Sequence, residues 1–418
     1  MSLCITSLSG NAQEDLQEVL ITANRLPQTT NTVMTATKII DRKAIKSSQA
    51  QSLIELLSGQ PGMHLAQSGS LGSQTSLFMR GTESDHTLIL VDGVQITTGT
   101  GASGRLEIIS LDQIERIEIV RGPRSSIYGS EAIGGVLNII TSSEVKPGFG
   151  GNLSVTAGTQ DTYNTNLGLQ GGSKSTTLAL NLSHRQTGGI NSRESGSADD
   201  DGFENDTAAL SFNHQFNDRI SFSANYSRFD SSSDYDDGVV DIESQQLSTG
   251  FSVAITELWN SSIRIERFKE DNADVSAFGT TNSQSENNKI NWHNTLVLNN
   301  ANQFSFGLDH IEQELEYFSF GAVQTDTSRD NGGIYGVYLR ESDLADLTMS
   351  LRHDDNERFG NQRTGSIALG KDLNQSVRAW LSYGTAFKAP NLIDLYVDFP
   401  SFFFFANPNL KPETSKNV

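Results

Sequence analysis

A change of sequence pattern near residue 150 constrains the fold of this chain more than any other feature. Before it, the run Thr87–Thr141 consists of short apolar strands separated by Asp-Gly and Gly-Pro turns, as in a compact mixed domain. After it, polar and apolar residues alternate with a period of two, for example over 220–227. Such alternation is typical of strands whose two faces meet different surroundings. A compact domain that continues directly into such a sheet indicates a plug inside a membrane barrel.

The predicted connections between the alternating strands are of two kinds. Short turns are expected near 172–174, 217–218, 299–302, 342–345 and 371–374, and long polar loops near 187–205, 230–245, 271–285, 317–329 and 354–362. Short turns at one rim and long loops at the other are typical of outer-membrane barrels, whereas a soluble sandwich has short turns at both ends. The fold class expected is therefore an antiparallel membrane β-barrel with an N-terminal mixed α/β plug.

The expected strand count is lower than a plugged barrel requires. The pattern gives about 13 strands after the plug, each near the roughly 9–11 residues of a tilted membrane strand. A barrel plugged by a whole domain has about 22 strands. We therefore expect the chain to be a fragment that lacks roughly the last nine strands.

Composition excludes several function classes. A net charge of −20 argues against nucleic acid, which requires a basic face. Cys4 is the only cysteine, so intramolecular disulfides, zinc fingers and iron–sulfur clusters are excluded. The sequence contains neither a G-x-S-x-G elbow nor an H-E-x-x-H helix, and its histidines are scattered. We therefore expect no enzyme activity and name no catalytic residue.

The chain is predicted to divide into four segments. Residues 1–12 are interpreted as the remnant of a signal peptide cleaved after Ala12, with an ordinary flexible terminus as the alternative. A polar periplasmic extension covers 13–36, the plug covers 37–146 and the partial barrel covers 147–418. Within the plug, Asp41 is the predicted N-cap of a first helix, and Gln51–Ser58 has helical spacing.

Three long runs carry a resemblance to a known family. The plug end of TonB-dependent outer-membrane receptors is similar to IERIEIVRGPRSSIYGSEAIGGVLNIIT, and their plug core is similar to MRGTESDHTLILVDGVQI. A barrel motif of the family resembles SYGTAFKAPNLIDLY followed by NPNLKPETSKNV. The resemblance spans essentially the whole chain after residue 15. Within the family, the cobalamin receptors are most similar in the runs VLITANR, RGPRSSIYGS, DDDGFEND and GTAFKAPNL.

The resemblance implies a function and its partners. It implies active uptake of a scarce, bulky nutrient across the bacterial outer membrane, in contact with outer-membrane lipid. Cobalamin is the first choice of substrate and a ferric siderophore the second. The expected partners are TonB and the inner-membrane ExbB–ExbD complex, which supply energy. A passive porin or adhesin, or a fragment without activity, are the alternatives.

One apolar island lies in the N-terminal extension. From its residues alone it fits either the first strand of the plug or a mobile strand that pairs with a periplasmic partner through its backbone. The resemblance implies the second reading. It assigns the TonB box to Gln17, Glu18, Val19, Leu20, Ile21, Thr22 and Ala23.

Two polar loops are rich in aspartate. By the expected topology the runs 199–201 and 234–241 open on the same outer side, where carboxylates from two loops supply the oxygen ligands that calcium prefers. A solvated acidic loop is the alternative. The resemblance to cobalamin receptors assigns calcium ligands to Asp199, Asp201, Tyr235, Asp236 and Asp241, and Asn191 stands where that pattern has a carboxylate.

Two glycine-rich plug loops, 69–74 and 99–104, are the candidate substrate site. The second matches G-x-G-x-x-G, but a dinucleotide site requires a following helix, which the residues after Arg105 do not provide. Small residues suit a plug apex that a bulky ligand approaches closely, and a plain connecting loop is the alternative. The resemblance favours substrate contact by Ser70, Leu71, Ser73, Gln74, Thr98, Thr100, Ser103 and Arg105.

Overall fold

The structure is a computed structural model. It describes residues 20–21, 25–26, 28–29, 33–101, 104–141, 148–193, 199–236, 238–277, 279–319, 321–374, 377–400 and 403–418. In this part of the chain, a small mixed α/β domain packs against the inner face of a large antiparallel sheet. The predicted fold class is confirmed.

The small domain, the plug, is built from short elements. Its strands are β1 (Leu20–Ile21), β2 (Gln28–Thr29), β3 (Thr37–Asp41), β4 (Met63–Gln67), β5 (Thr75–Met79), β6 (Thr87–Val91), β7 (Val94–Gln95), β8 (Arg116–Arg121) and β9 (Gly135–Ile140). Its helices are α1 (Arg42–Ser48), α2 (Leu53–Ser58) and α3 (Ser125–Tyr128), with 3-10 turns at Ser84–His86, Leu106–Ile108 and Leu111–Gln113. The main sheet has the order β3-β8-β9-β6-β7, and β4 pairs with β5.

Local sequence signals account for these elements. The Asp41 side chain accepts a hydrogen bond from the backbone N–H of Ala44 at 2.7 Å and so caps α1 as predicted. Strands β6 and β9 are buried along their whole length, which explains their continuous apolar sequences. They are joined in parallel at the centre of the sheet. Asp92 and Gly93 both have positive φ, +50° and +83°, as the tight turn between β6 and β7 requires.

The large sheet, the wall, contains fourteen strands among the described residues. They are β10 (Gly148–Ala157), β11 (Tyr163–Gly172), β12 (Thr176–Ile190), β13 (Asp201–Asn217), β14 (Ile220–Tyr235), β15 (Gly238–Thr256), β16 (Trp259–Ser276), β17 (Gly279–Asn299), β18 (Asn302–Ser319), β19 (Ala322–Arg340), β20 (Asp346–Asn356), β21 (Gly360–Asn374), β22 (Val377–Lys388) and β23 (Glu413–Asn417). Each pairs antiparallel with the next, and helix α4 (Leu392–Tyr396) lies between β22 and β23.

Strand length is where the structure departs most from the sequence prediction. Strands β13 to β19 have 16 to 21 residues rather than about 10. The long loops predicted near 230–245, 271–285 and 317–329 are wrong, because strands β14 to β19 extend into these segments as paired hairpins. The loops predicted near 187–205 and 354–362 shorten to 191–200 and 357–359. The loop prediction fails because strands with polar side chains on both faces show no apolar alternation, although their backbone pairing continues.

Two smaller predictions of the connections are also corrected. The turn expected at 371–374 is strand, since β21 continues to Asn374 and β22 begins at Val377. The strand count rises from about 13 to fourteen because Glu413–Asn417 pairs with the end of β22, starting opposite Lys388. This last strand is polar, so alternation does not reveal it.

The two faces of the wall differ in chemistry. Large apolar side chains are exposed on the face away from the plug, among them Phe251, Ile263, Trp292, Leu308 and Leu351. The face toward the plug carries many small or polar buried residues, such as Ser248, Asn287 and Ser305. An apolar outer face over a polar inner face is the pattern of a sheet that meets lipid on one side only.

Membrane-spanning helices were searched for separately. Among the described helices, none has the length and hydropathy to cross a bilayer.

Candidate functional site

The strands of the wall end at two rims. We call the rim that carries 158–162, 191–200, 357–359 and 389–412 the loop rim, and the opposite one the turn rim. The direction of the chain assigns each connection to a rim. Strand β10 begins at the turn rim, and successive antiparallel strands run in opposite directions.

The plug loop 69–74 lies against the start of β13 at the loop rim. The Ser70 hydroxyl donates a hydrogen bond to the backbone oxygen of Asp201 at 2.9 Å. Gly72 has a φ of +88°, and a methyl group on it would overlap the ring of Phe203. Leu71 and Ser73 are half-buried and Gln74 is exposed. The loop is therefore fixed to the wall by a close backbone approach that only glycine permits.

The loop that begins at Thr98 packs under α4. The hydroxyls of Thr98 and Thr100 are hydrogen-bonded to each other. The backbone oxygen of Gly99 accepts from the N–H of Leu392 at 3.0 Å. Ser103 lies outside the described residues. The structure thus brings both predicted substrate loops to the loop rim, but against different parts of the wall.

Arg105, also a predicted substrate contact, forms ion pairs between plug and wall. Its Nη2 lies 3.2 Å from Oε1 of Glu270 in β16, and its Nη1 lies 3.8 Å from Oε1 of Glu107. Glu107 is buried, and burial raises its pKa to about 7 although Arg105 opposes the shift. Near neutral pH the buried Glu107 carboxyl beside Arg105 is therefore about half-protonated, because its pKa is raised to about 7. Substrate contact by Arg105 remains a prediction.

Among the described residues, the four predicted calcium-binding aspartates do not form a group of three donors within 4.8 Å of one another. Asp201 is buried, and its carboxylate accepts from the backbone N–H of Ser192 at 2.9 Å. Asp236 forms an ion pair with Arg193 at 3.4 Å, and the Tyr235 hydroxyl donates to Asp274 at 2.6 Å. Asp199 and Asp241 are exposed.

Donor atoms do converge at two other places among the described residues. Ligand atoms of three His, Asp or Glu residues lie within 4.8 Å of one another in two groups, Glu83–Asp85–His86 and His184–Glu204–Asp206. Neither group includes a predicted calcium ligand. Sequence reasoning did not single out either group, because their members adjoin through a short turn and through strand pairing rather than through a recognisable motif.

Only part of the predicted TonB box can be located. Leu20 and Ile21 form β1 and pair antiparallel with Thr29 and Gln28. Gln17, Glu18, Val19, Thr22 and Ala23 lie outside the described residues. Within the described residues the box is therefore represented only by the two-residue strand β1, paired with β2.

Arg25 anchors the segment that follows β1. Its guanidinium lies 3.1 Å from a carboxylate oxygen of Asp309 in β18 and packs over the rings of Tyr128 and Tyr335, 4.9 and 4.5 Å from their centroids. Asp309 also pairs with Arg352 at 2.6 Å. Sequence reasoning missed this anchor, because an arginine in a polar extension gives no sign of a carboxylate 284 residues away.

Comparison with known proteins gives consistent matches. Residues 29–136 match the TonB-dependent receptor plug domain, and residues 148–418 match the TonB-dependent receptor-like β-barrel. A relative from Vibrio cholerae serotype O1, named as vitamin B12 transporter BtuB, is 33% identical over 99% of this chain and 69% of its own length. A protein of the same name from Photobacterium profundum is 30% identical over 99% of this chain and 68% of its own length. The solved structure of a ferric enterobactin receptor (PfeA) mutant from Pseudomonas aeruginosa superposes with a TM-score of 0.78 at 18% identity, over 95% of this chain and 69% of that one.

Proposed function

This chain belongs to the family of TonB-dependent receptors, and we propose that it imports cobalamin across the bacterial outer membrane. The family is one of receptors and transporters rather than of enzymes. The observation that carries the choice of substrate is the 33% identity to a vitamin B12 transporter over 99% of the chain. The similarity to a ferric enterobactin receptor, at 18% identity, supports only the shared fold.

The proposed site of recognition is the loop rim. Residues 69–74 and 98–101 offer small and hydroxyl-bearing side chains there, which suits close approach by a large polar ligand. Strand lengths of up to 21 residues extend the wall around them. In this proposal the long hairpins, rather than long flexible loops, form the vestibule that a ligand enters.

The proposed transport step acts through the N-terminal extension. TonB pairs with an extended segment by backbone hydrogen bonds, and residues 17–23 are the segment for it. A pull on that segment is transmitted to Arg25, which links it to Asp309 of the wall. Loss of this link frees the plug to rearrange. ExbB–ExbD and the inner-membrane proton gradient supply the energy.

The outer membrane is the proposed location. The support is the exposed apolar face of the wall, which needs lipid against it. Outer-membrane lipid is accordingly a proposed partner.

Calcium is proposed as a ligand of the loop rim. The support is the resemblance of 199–206 to the cobalamin receptors, together with aspartates on two strands that meet this rim. To take part, Asp236 must leave Arg193, so calcium and this ion pair compete. A calcium-induced rise in cobalamin affinity that disappears in Asp236→Asn supports the proposal, and an unchanged affinity contradicts it.

The substrate assignment is tested by equilibrium binding. Radiolabelled cobalamin and a ferric catecholate siderophore are offered separately to the protein purified from its intact gene, with and without calcium. Saturable binding of cobalamin alone supports the assignment. Absence of cobalamin binding at micromolar concentration rejects it, and binding of the siderophore instead establishes the second candidate.

A further inference from the structure

A histidine and two carboxylates of the plug form a donor group where the plug touches the last two strands of the wall, and a third carboxylate, from the wall, approaches the histidine. His86 ends the 3-10 turn Ser84–His86, directly before the central plug strand β6, and is 7% exposed. Glu83 and Asp85 come from the same turn. Glu413 is the first residue of β23 and pairs with Lys388 of β22. The plug thus supplies three donors within 4.8 Å of one another, and the Glu413 side chain of the wall reaches this group at His86.

The donor atoms lie close together without forming hydrogen bonds. Nε2 of His86 lies 3.3 Å from Oε2 of Glu413 and 3.8 Å from Oδ1 of Asp85. Both Nε2 of His86 and Oδ1 of Asp85 are buried, and neither has a hydrogen-bond partner among the residues that the structure describes. Since buried polar atoms are nearly always paired, two that face each other without a bond require an explanation.

Neighbouring groups occupy the other oxygen of Asp85. Asn391 donates to Oδ2 of Asp85 at 2.9 Å, and the ammonium of the buried Lys388 lies 3.4 Å from the same oxygen. Lys388 also donates to Oδ1 of Asn391 at 2.7 Å. The Asp85 carboxylate is therefore held from one side, and Oδ1 is left directed at His86.

We propose that Glu83, Asp85, His86 and Glu413 bind a divalent transition-metal ion, with zinc as the first choice. Imidazole and carboxylate are the common non-sulfur ligands of zinc. Two donors about 2.0–2.1 Å from a tetrahedral zinc ion are separated by about 3.3 Å, the distance found between His86 and Glu413. Together the metal ion and the Lys388 ammonium balance the charge of three carboxylates.

The exposed group His184–Glu204–Asp206 does not offer the same arrangement. Nδ1 of His184 lies 2.9 Å from Oδ1 of Asp206, a normal hydrogen bond, and both side chains are more than one-third exposed. It therefore has neither the buried position nor the unpaired donors of the His86 group.

The consequence of the proposed site is a cross-link between plug and wall. Glu83, Asp85 and His86 belong to the plug, whereas Glu413 belongs to the wall. A bound ion therefore stabilises the plug in its seated position, because displacement of the turn breaks metal–ligand bonds. This property does not depend on which nutrient the protein carries.

The test is a metal titration of the protein purified from its intact gene in detergent. After dialysis against a chelator, we expect the wild type to take up about one buried zinc ion per chain, in competition with a chromogenic chelator. His86→Gln and Glu413→Gln should each weaken this binding roughly tenfold or more. His64→Gln, which changes an exposed plug histidine outside the group, is the matched control and should bind as the wild type does.

The same experiment separates a metal site from a simple ion pair between protonated His86 and its carboxylates. A metal site predicts that zinc raises the thermal midpoint of the wild type but not of Glu413→Gln. Absence of zinc binding in the wild type, or binding that both variants retain, rejects the proposal. Because Glu413 is more than half exposed at the start of a strand, its variant is informative even if His86→Gln does not fold. Cobalamin is not present in any arm, so the outcome is independent of the substrate assignment.

Discussion

Arg25 and Arg352 share the carboxylate of Asp309 inside the wall, at 3.1 and 2.6 Å. Arg352 also pairs with Asp354 at 2.7 Å, so two arginines and two aspartates form one buried network. A network of this kind contributes little net stability over an apolar core, but loss of one member leaves an uncompensated charge. Arg25 is the only member that lies in the N-terminal extension, so the network couples that extension to the wall.

The coupling is tested by Arg25→Met. Removal of a partner from a buried ion pair costs about 3–5 kcal/mol, so the segment around β1 and β2 should open far more often. Hydrogen exchange of peptides that cover residues 20–29 should become roughly tenfold faster or more. The matched control is Arg228→Met, which removes an arginine from an exposed ion pair worth about 0–1 kcal/mol. Equal hydrogen-exchange rates of these peptides in Arg25→Met and in the control would contradict the role of Arg25 as an anchor of the segment.

Glu107 gives a pH-dependent prediction. Its pKa in the folded protein is about 7, above the ordinary value of 4.5, so between these values the folded state binds a proton that the unfolded state has lost. The free energy of unfolding should therefore fall by roughly 3 kcal/mol as pH rises from about 4.5 to 7, and level off above that.

The measurement is the urea midpoint at pH 5 and pH 8. Glu107→Gln stays neutral, so its midpoint should change less with pH than that of the wild type. Glu55→Gln on the exposed side of α2 is the control and should behave as the wild type does. A pH dependence that Glu107→Gln retains in full contradicts the assignment.

At the scale of residues, sequence reasoning succeeded where the signal is local. The Asp41 cap and the Asp92-Gly93 turn depend on neighbours a few residues away, and both were predicted. The partners of Arg25, Arg105 and His86 lie in strands far along the chain. Such pairs form only when the plug packs against the wall. No short sequence pattern reveals which residues that packing brings together.

At the scale of elements, the packing of loop 69–74 against the wall requires a glycine at position 72. Gly72 and Gly81 both have positive φ, +88° and +77°, so alanine at either position costs about 1–2 kcal/mol in backbone strain. At Gly72 the added methyl also overlaps Phe203, whereas at Gly81 it meets no atom within 4 Å.

The pair of variants isolates the contact between loop and wall. Gly72→Ala should destabilise the protein by about 1–3 kcal/mol more than Gly81→Ala, because overpacking adds to the strain. Urea unfolding of the two variants measures this difference. Equal destabilisation by the two variants would show that the loop is not seated on β13 as described. Cobalamin affinity of Gly72→Ala, measured in parallel, reports whether that seating matters for binding.

The long strands show which part of an element the sequence specifies. Alternation predicted the strand centres, for example 178–182 and 220–227, because one face there is apolar. Toward the loop rim the outward positions become polar, as at Glu204, Asp230 and Asp271. Polar side chains on both faces erase the period, although backbone pairing continues. The ends of these hairpins were therefore predicted as loops.

At the scale of the whole molecule, much of the contact between plug and wall is polar. Asn205 and Asn287 of the wall donate to backbone oxygens of Ile108 and Thr97, at 3.0 and 2.7 Å. The hydroxyls of Ser126 and Ser350 are 2.6 Å apart. A typical intramolecular hydrogen bond contributes about 1 kcal/mol net, because water replaces it when it breaks. These polar contacts hold the plug in place beside smaller apolar ones, such as Ile108 against Phe229 and Ile242.

The polar contacts with the wall distinguish this interface from the plug core. The plug core itself is apolar and continuous, with Ile89, Ile117 and Leu137 almost fully buried. A force applied to the extension should therefore break the polar contacts with the wall before it unfolds the core. Passive permeation needs no such arrangement and no energised partner.

Uptake of labelled cobalamin by cells whose own cobalamin receptor is deleted tests the central claim most directly. The protein is expressed from its intact gene, either unchanged or without residues 17–23, in hosts with and without TonB. The account predicts uptake only when both the segment and TonB are present, with cobalamin binding at the cell surface retained in the deletion variant. Uptake that continues without residues 17–23 or without TonB would contradict it.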